Sequence, residues 1–210
     1  MPLAPPPEDL SAFPRRRSSA SVRTLYRITW HRDRATGAVS GPWHFSHDGR
    51  GRFDLPEPHG TCYWSNRRSG AFLEVFRGTS TVAATDLLAR RLVIAQAPVL
   101  RLAHLLSPRA LPYGVTAALS TQPDYALPQR WAMALHDAGF EGLVGSCSHD
   151  PTSRALNVAV FGAAGTRAPG GWTTRTAPVQ SDPVLLAELA PYGVRIVPVP
   201  HTVRTVPPAL

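Results

Sequence analysis

The chain has 210 residues, enough to bury one sizeable core and short for two. With 43% hydrophobic and 17% charged residues it falls among globular chains and outside the disordered class. A net charge of +8 and a pI near 10.7 raise a nucleic-acid or anionic partner, yet all 22 basic residues are Arg and, apart from Arg15, Arg16 and Arg17, they are scattered. A nucleic-acid reader concentrates its cations on one face, so that partner is disfavoured. Arg without Lys, with abundant Ala and Pro, reads as the codon bias of a GC-rich bacterial genome. Guanidinium groups also pair bidentately with phosphates, so the excess suits a dinucleotide as well.

The longest apolar stretch, Leu87 to Leu106, is broken by Arg90, Arg91, Gln96, Pro98 and Arg101, short of the roughly 20 residues a membrane span needs. The start of the chain lacks the basic-then-apolar order of a signal peptide. The expectation is a cytoplasmic protein that makes no membrane contact. Cys62 and Cys147, the two cysteines, are expected as free thiols.

In chain order, residues 1–20 are rich in Pro, Ser and Arg without apolar period and are expected as a disordered lead-in to a single domain over 21–210. The fold is expected to begin near Val22, where Val22, Leu25, Tyr26, Ile28 and Trp30 form a β-prone run. Gly37 to Asp54 reads as a long loop with isolated Trp43 and Phe45, and Thr61 to Ser65 as a second strand. Ser69 to Arg77 carries helical periodicity around Glu74. Asp86 to Ile94 is mixed, with a strand at Leu92 to Ala95, and Val99 to Leu106 reads as a strand running into a short helix. Pro128 to Ala138 is a helix whose Trp131, Leu135 and Ala138 share a face, closed by Gly139. Leu143–Val144 and Leu156–Phe161 are strands flanking a turn at His149 to Ser153. A helix at Pro183 to Leu189 and a strand at Val194 to Val199 complete a mixed α+β pattern with no internal repeat.

Walker and Rossmann glycine loops, HExxH or CxxC metal ligands and a GxSxG elbow are absent. His44 and His47 lie close in sequence but have poor acidic or sulfur company, so they read as polar loop residues and no metal is expected. One ordered set remains: LYRIT with Arg27, GRFD with Arg52, GTCYWS with Tyr63, and GAFLEVF with Glu74. It is followed by RWAMALHDAGFEG and by SHDP leading to VAVF.

In that order the set resembles the RES domain, named for its Arg, Glu and Ser, over residues 23 to 161, about two-thirds of the chain. The resemblance implies a single compact α+β domain like that of ADP-ribosyltransferases. It implies a bacterial toxin that acts on NAD as substrate with no further cofactor, as a glycohydrolase, a phosphorylase or an ADP-ribosyltransferase, and that is held inactive by an Xre-like antitoxin. By motif position Arg27 and Arg52 correspond to the family's arginines, Tyr63 to its tyrosine and Glu74 to its glutamate. The family's serine falls on Cys147 in an ungapped reading of Gly142 to Pro151. Either Ser146 or Ser148 takes the place after a one-residue shift, or the role is altered here.

The residues support this chemistry on their own terms. Arg27 and Arg52 carry planar donor forks for phosphate oxygens. Tyr63 offers a ring face and a hydroxyl to orient the nicotinamide side. Cleavage of the nicotinamide–ribose bond builds positive charge on the ribose, and Glu74, set in an apolar stretch, can stabilise it. The candidate catalytic set is therefore Glu74, Arg52, Ser146 and Ser148, and the binding set is Arg27, Arg52, Tyr63 and Cys147. Bland readings stay open: salt-bridged arginines, a core tyrosine, a solvated helix face for Glu74, turn residues at 146–148. So do a non-catalytic protein binding nucleic acid or an acidic partner, and a homo-oligomer.

Overall fold

A computed structural model describes residues 4–17, 23–33 and 35–198. Its strands are β1 (Arg15–Arg17), β2 (Thr24–Trp30), β3 (His59–Ser65), β4 (Thr81–Ala83), β5 (Arg90–Gln96), β6 (Arg101–His104), β7 (Gly142–Ser146), β8 (Leu156–Ala163), β9 (Thr173–Pro178) and β10 (Arg195–Val197). Its α-helices are α1 (Arg68–Phe76), α2 (Ala84–Leu88), α3 (Ala118–Thr121), α4 (Ala126–Asp137) and α5 (Pro183–Leu189). One eight-stranded sheet runs β1-β6-β7-β8-β3-β2-β5-β9, and β4 pairs with β10 in a small second sheet. Within the large sheet only β6 and β7 run parallel. The mixed α+β expectation therefore stands.

The pleat sorts side chains onto two faces. Leu25, Cys62, Trp64, Val93, Val144, Val158 and Val160 share one face, in a core cluster that includes Trp43 and Phe45. The isolated aromatics of the long loop are thus core residues. On the other face two helical groups cover different halves of the sheet. The β6–β7–β8 side packs under α4 through Ala103, Leu143, Ala159, Phe161, Trp131 and Leu135. The β2–β5 side packs under α1, α2 and α5 through Ile28, Leu92, Ile94, Phe72, Leu87 and Leu185. Between these halves β2 and β3 share a single register pair, Tyr26 with Ser65, whereas β2 and β5 pair along seven residues.

Local chemistry explains the helix that the sequence marks most strongly. Helix α4 buries Trp131 and Leu135 completely, and Gly139 at φ 78° lets the chain turn back. There the Gly139 N–H donates to the His136 carbonyl and the Phe140 N–H to the Leu135 carbonyl, the paired bonds of a Schellman ending.

The disordered lead-in expected for residues 1–20 is corrected for 4–17; residues 1–3, 18–20 and Val22 lie outside the described residues. Leu10 and Phe13 are buried, and Phe13 packs against Tyr113, Trp131 and Phe140. The Ala4 carbonyl accepts from Trp131 Nε1, and β1 pairs antiparallel with β6. Two apolar anchors and edge pairing suffice to fix a segment that has no periodicity. Strand β9 was not anticipated either, because an edge strand exposed on both sides shows no apolar alternation. The expected terminal strand is shorter, Arg195–Val197, and Val199 lies outside the described residues. Among the described residues no helix is long and apolar enough to cross a membrane.

If the N-terminal segment belongs to the core, Phe13→Ala should lower the unfolding free energy by about 3–5 kcal/mol, as removal of a fully packed aromatic does. Chemical denaturation would measure this, and a loss below about 1 kcal/mol would show the segment to be peripheral.

Candidate functional site

A cavity of about 410 Å³ opens on the helix-covered face, over β7, β8 and β3 and beside α1. Its walls carry three guanidinium groups (Arg50, Arg52 and Arg77) and a single carboxylate, that of Glu74. A second cavity of about 210 Å³ opens beside it where β2 and β3 part. Tyr63, Glu74 and Asn157 line both, so the two form neighbouring halves of one groove. The larger lies within the range of small-molecule sites.

Arg52 is held by the loop that precedes β3. Buried Asp54 accepts from the Gly51 N–H (2.8 Å) and the Ser46 hydroxyl (2.8 Å), and the Tyr63 hydroxyl donates to it at 2.8 Å. The Phe53 N–H donates to the same Tyr63 oxygen, and Gln129 Nε2 donates to the carbonyls of Gly49 and Gly51. A Cβ at Gly51 would lie 2.2 Å from Asp54 Oδ1, so no other residue fits that closure. Arg52 itself donates to the Gln122 carbonyl and lies 4.7 Å from the Tyr125 ring centroid. Burial and the neighbouring Asp54 charge push the Tyr63 phenol well above its ordinary value, so it stays protonated and serves as the donor.

Glu74 reaches the site from α1. A Cβ at Gly70 would stand 2.2 Å from Ser65 Oγ, so the helix approaches β3 closely there, and Glu74 follows one turn later on the same face. The helix has no side-chain cap of its own; Glu188 of α5 accepts from both the N–H and the hydroxyl of Ser69, each at 2.8 Å. Three donors then converge on Glu74 Oε1: Asn157 Nδ2 at 2.8 Å, the Ser148 N–H at 3.0 Å and Cys147 Sγ at 3.1 Å. Oε2 lies 3.4 Å from His149 Nδ1, which makes no hydrogen bond among the described residues. Burial, then the charge and hydrogen bond of Glu74, push the Cys147 thiol far up, so it remains a protonated donor.

The turn that delivers Cys147 and Ser148 is organised by Asp150. Its buried carboxylate accepts from the N–H groups of Thr152, Arg154 and Ala155 and from the hydroxyls of Thr152 and Tyr192. Burial raises its pKa, but these donors outweigh it and bring it from 3.8 to about 2.

The structure thus brings Arg52, Tyr63, Glu74, Ser146 and Ser148 to one cavity. Tyr63 presents its ring there, since its hydroxyl is engaged with Asp54 and Phe53. Ser148 donates its hydroxyl to the Ser120 carbonyl, while the Ser146 hydroxyl makes no hydrogen bond among the described residues. Cys147 lines neither cavity; it is buried behind Glu74. Arg27 alternates with Tyr26 and so faces away from Tyr63 and Glu74, donating to Cys62 Sγ and the His44 carbonyl at the edge of the smaller cavity. Both cysteines are free thiols. His47 is turned to Glu57, and no group of three or more His, Cys, Asp or Glu that could hold a metal stands among the described residues.

Asn157, Arg77 and Tyr125 were not anticipated. The signal for Asn157 was a polar residue in step with Ala159 and Phe161 on an apolar strand; for Arg77, an arginine at the end of the helix three residues beyond Glu74.

Fold and site together define a small α+β protein whose parted sheet carries an arginine-lined cavity around one anchored carboxylate. The family model described as the RES domain matches residues 24–180, and the chain belongs to that family. Among solved structures, a chain of the crystal structure of the M. tuberculosis MbcT–MbcA toxin–antitoxin complex shares the fold at TM-score 0.58 and 19% identity, covering 83% of this chain and 96% of that one. No curated protein matches in sequence.

The Asp150 contacts give a pH signature. A carboxylate whose pKa is lowered on folding contributes stability that is complete above the unfolded value and is lost as pH falls through the folded one. The protein should therefore lose about 2 kcal/mol at this position as pH falls from about 4 to about 2. Asp150→Asn should be less stable at neutral pH and lose less on acidification. Denaturation curves at both pH values would show it, and equal acid sensitivity in the two proteins would count against Asp150.

Proposed function

We propose that this chain is a toxin-type enzyme that binds NAD and breaks its nicotinamide–ribose bond by glycohydrolysis or phosphorolysis, and that an antitoxin protein neutralises it. The observation that carries the reading is Glu74, a lone carboxylate anchored by three donors in a cavity lined by arginines. Membership of the RES family and a fold shared with a toxin–antitoxin chain support it.

The site chemistry follows from charge. NAD carries two phosphate charges, which guanidinium forks complement, and Arg52 is braced for that task by Gln122 and Tyr125. As the C–N bond breaks, its electron pair leaves with nicotinamide and C1′ of the ribose becomes oxocarbenium-like. A carboxylate already fixed through Oε1 at the cavity wall stabilises that charge without reorganising. Water or phosphate then forms the new C1′–O bond, and where water attacks, its proton goes to solvent. A protein side chain as acceptor would give ADP-ribosyl transfer at the same site.

Purified protein should release nicotinamide from NAD, and assays with and without phosphate would tell phosphorolysis from hydrolysis. Glu74→Gln keeps an acceptor for the three donors, so the fold should persist while turnover falls by about 10²-fold or more. NAD affinity should change far less. Arg52→Ala should chiefly weaken binding, because a phosphate contact is made in ground and transition states alike. A folded Glu74→Gln protein that turns over NAD at the wild-type rate would remove Glu74 from the mechanism.

A further inference from the structure

Arg77 terminates α1 in the left-handed region, at φ 50° and ψ 41°. The Gly78 N–H donates to the Leu73 carbonyl behind it, so the helix ends in the same kind of motif that closes α4. In α4 the left-handed position is taken by Gly139, the residue that adopts it without steric cost. In α1 it is taken by a long cationic side chain, one of two non-glycine residues with positive φ among the described residues. Ordinary helix termination does not explain that choice.

The position explains it better. Arg77 lies three residues beyond Glu74, on the same side of the helix, and lines the larger cavity with Arg52. Its backbone N–H donates to the Leu73 carbonyl, but its guanidinium makes no ion pair or hydrogen bond among the described residues, and Glu74 is engaged by Cys147, Ser148 and Asn157. Arg50, also on the wall, is paired with Asp48 at 3.4 Å. Arg27 lies on the opposite face of the sheet and lines only the smaller cavity.

We propose that Arg77 is a substrate-binding residue that, with Arg52, holds the diphosphate of the dinucleotide. The inference rests on the NAD reading above and names the group that completes its phosphate site. A diphosphate carries two negative charges, and two guanidinium groups in one cavity match it. From the left-handed position that ends α1, Arg77 lines the larger cavity.

The test uses Arg77→Gly, which suits the backbone, with isothermal titration of ADP-ribose at low and moderate salt and thermal unfolding of the same samples. Binding should weaken by about tenfold or more and lose part of its salt dependence. The melting temperature should hold or rise by about 2–4 °C. Arg77→Asn, a second residue tolerant of that conformation, should lose binding to the same degree, and Arg77→Lys should keep part of it. Unchanged affinity in Arg77→Gly, with wild-type protein binding ADP-ribose, overturns the role of Arg77 and leaves the NAD reading standing. Wild-type protein that binds neither ADP-ribose nor NAD overturns both.

Discussion

Three hydrogen bonds converge on one oxygen of Glu74, and much of the surrounding fold serves to bring their donors together. Asn157 lies near the start of β8, Ser148 and Cys147 follow β7, and Glu74 stands on α1. A carboxylate on one helix can meet donors from two strands only if all three elements are fixed to within a few tenths of an ångström. The close approach at Gly70 sets the helix height, and Glu188 supplies the cap that α1 lacks. The Arg68–Asp182 ion pair at 3.4 Å ties the start of α1 to the start of α5. Helix α5 therefore acts on the site without touching it.

Two buried aspartates play the matching role for the loops. Asp54 gathers Gly51, Ser46 and Tyr63 around the turn that presents Arg52. Asp150 gathers five donors around the turn that presents Ser148. Each carboxylate replaces water for N–H groups that would otherwise be stranded, which makes an irregular loop as determinate as a helix end. The GRFD motif thus divides its labour: Gly51 permits the closure, Arg52 faces the cavity, Phe53 enters the core and Asp54 holds the backbone.

Legibility in the sequence followed burial. Helix α4 and strands β2, β3, β7 and β8 bury one or both faces, so apolar spacing reports them directly. Strands β1 and β9 form the sheet edges, where pairing is by backbone, and Arg15, Arg16 or Thr173 to Thr176 give no apolar period to read. The site behaved likewise. Glu74 stood out because a charge in an apolar helix needs a reason, whereas Arg27 follows Tyr26 in the motif yet faces the other way. Which side each residue takes depends on the register Tyr26–Ser65, a long-range pairing that motif order does not encode.

Cys147 supplies behind Glu74 a hydrogen-bond donor that a serine could equally supply. A serine hydroxyl and a protonated thiol both donate one hydrogen bond from the same Cβ, and the thiol here is kept protonated by burial and by Glu74 itself. The larger sulfur sits 3.1 Å from Oε1 and packs with Leu73 and Ala155, so its extra volume fills apolar space behind the carboxylate instead of the cavity. Hydroxyls that meet the cavity remain on either side of it, in Ser146 and Ser148. Donation to Glu74 and contact with the cavity are therefore separate tasks in this turn, and a thiol suffices for the first because nothing in it requires an exposed nucleophile.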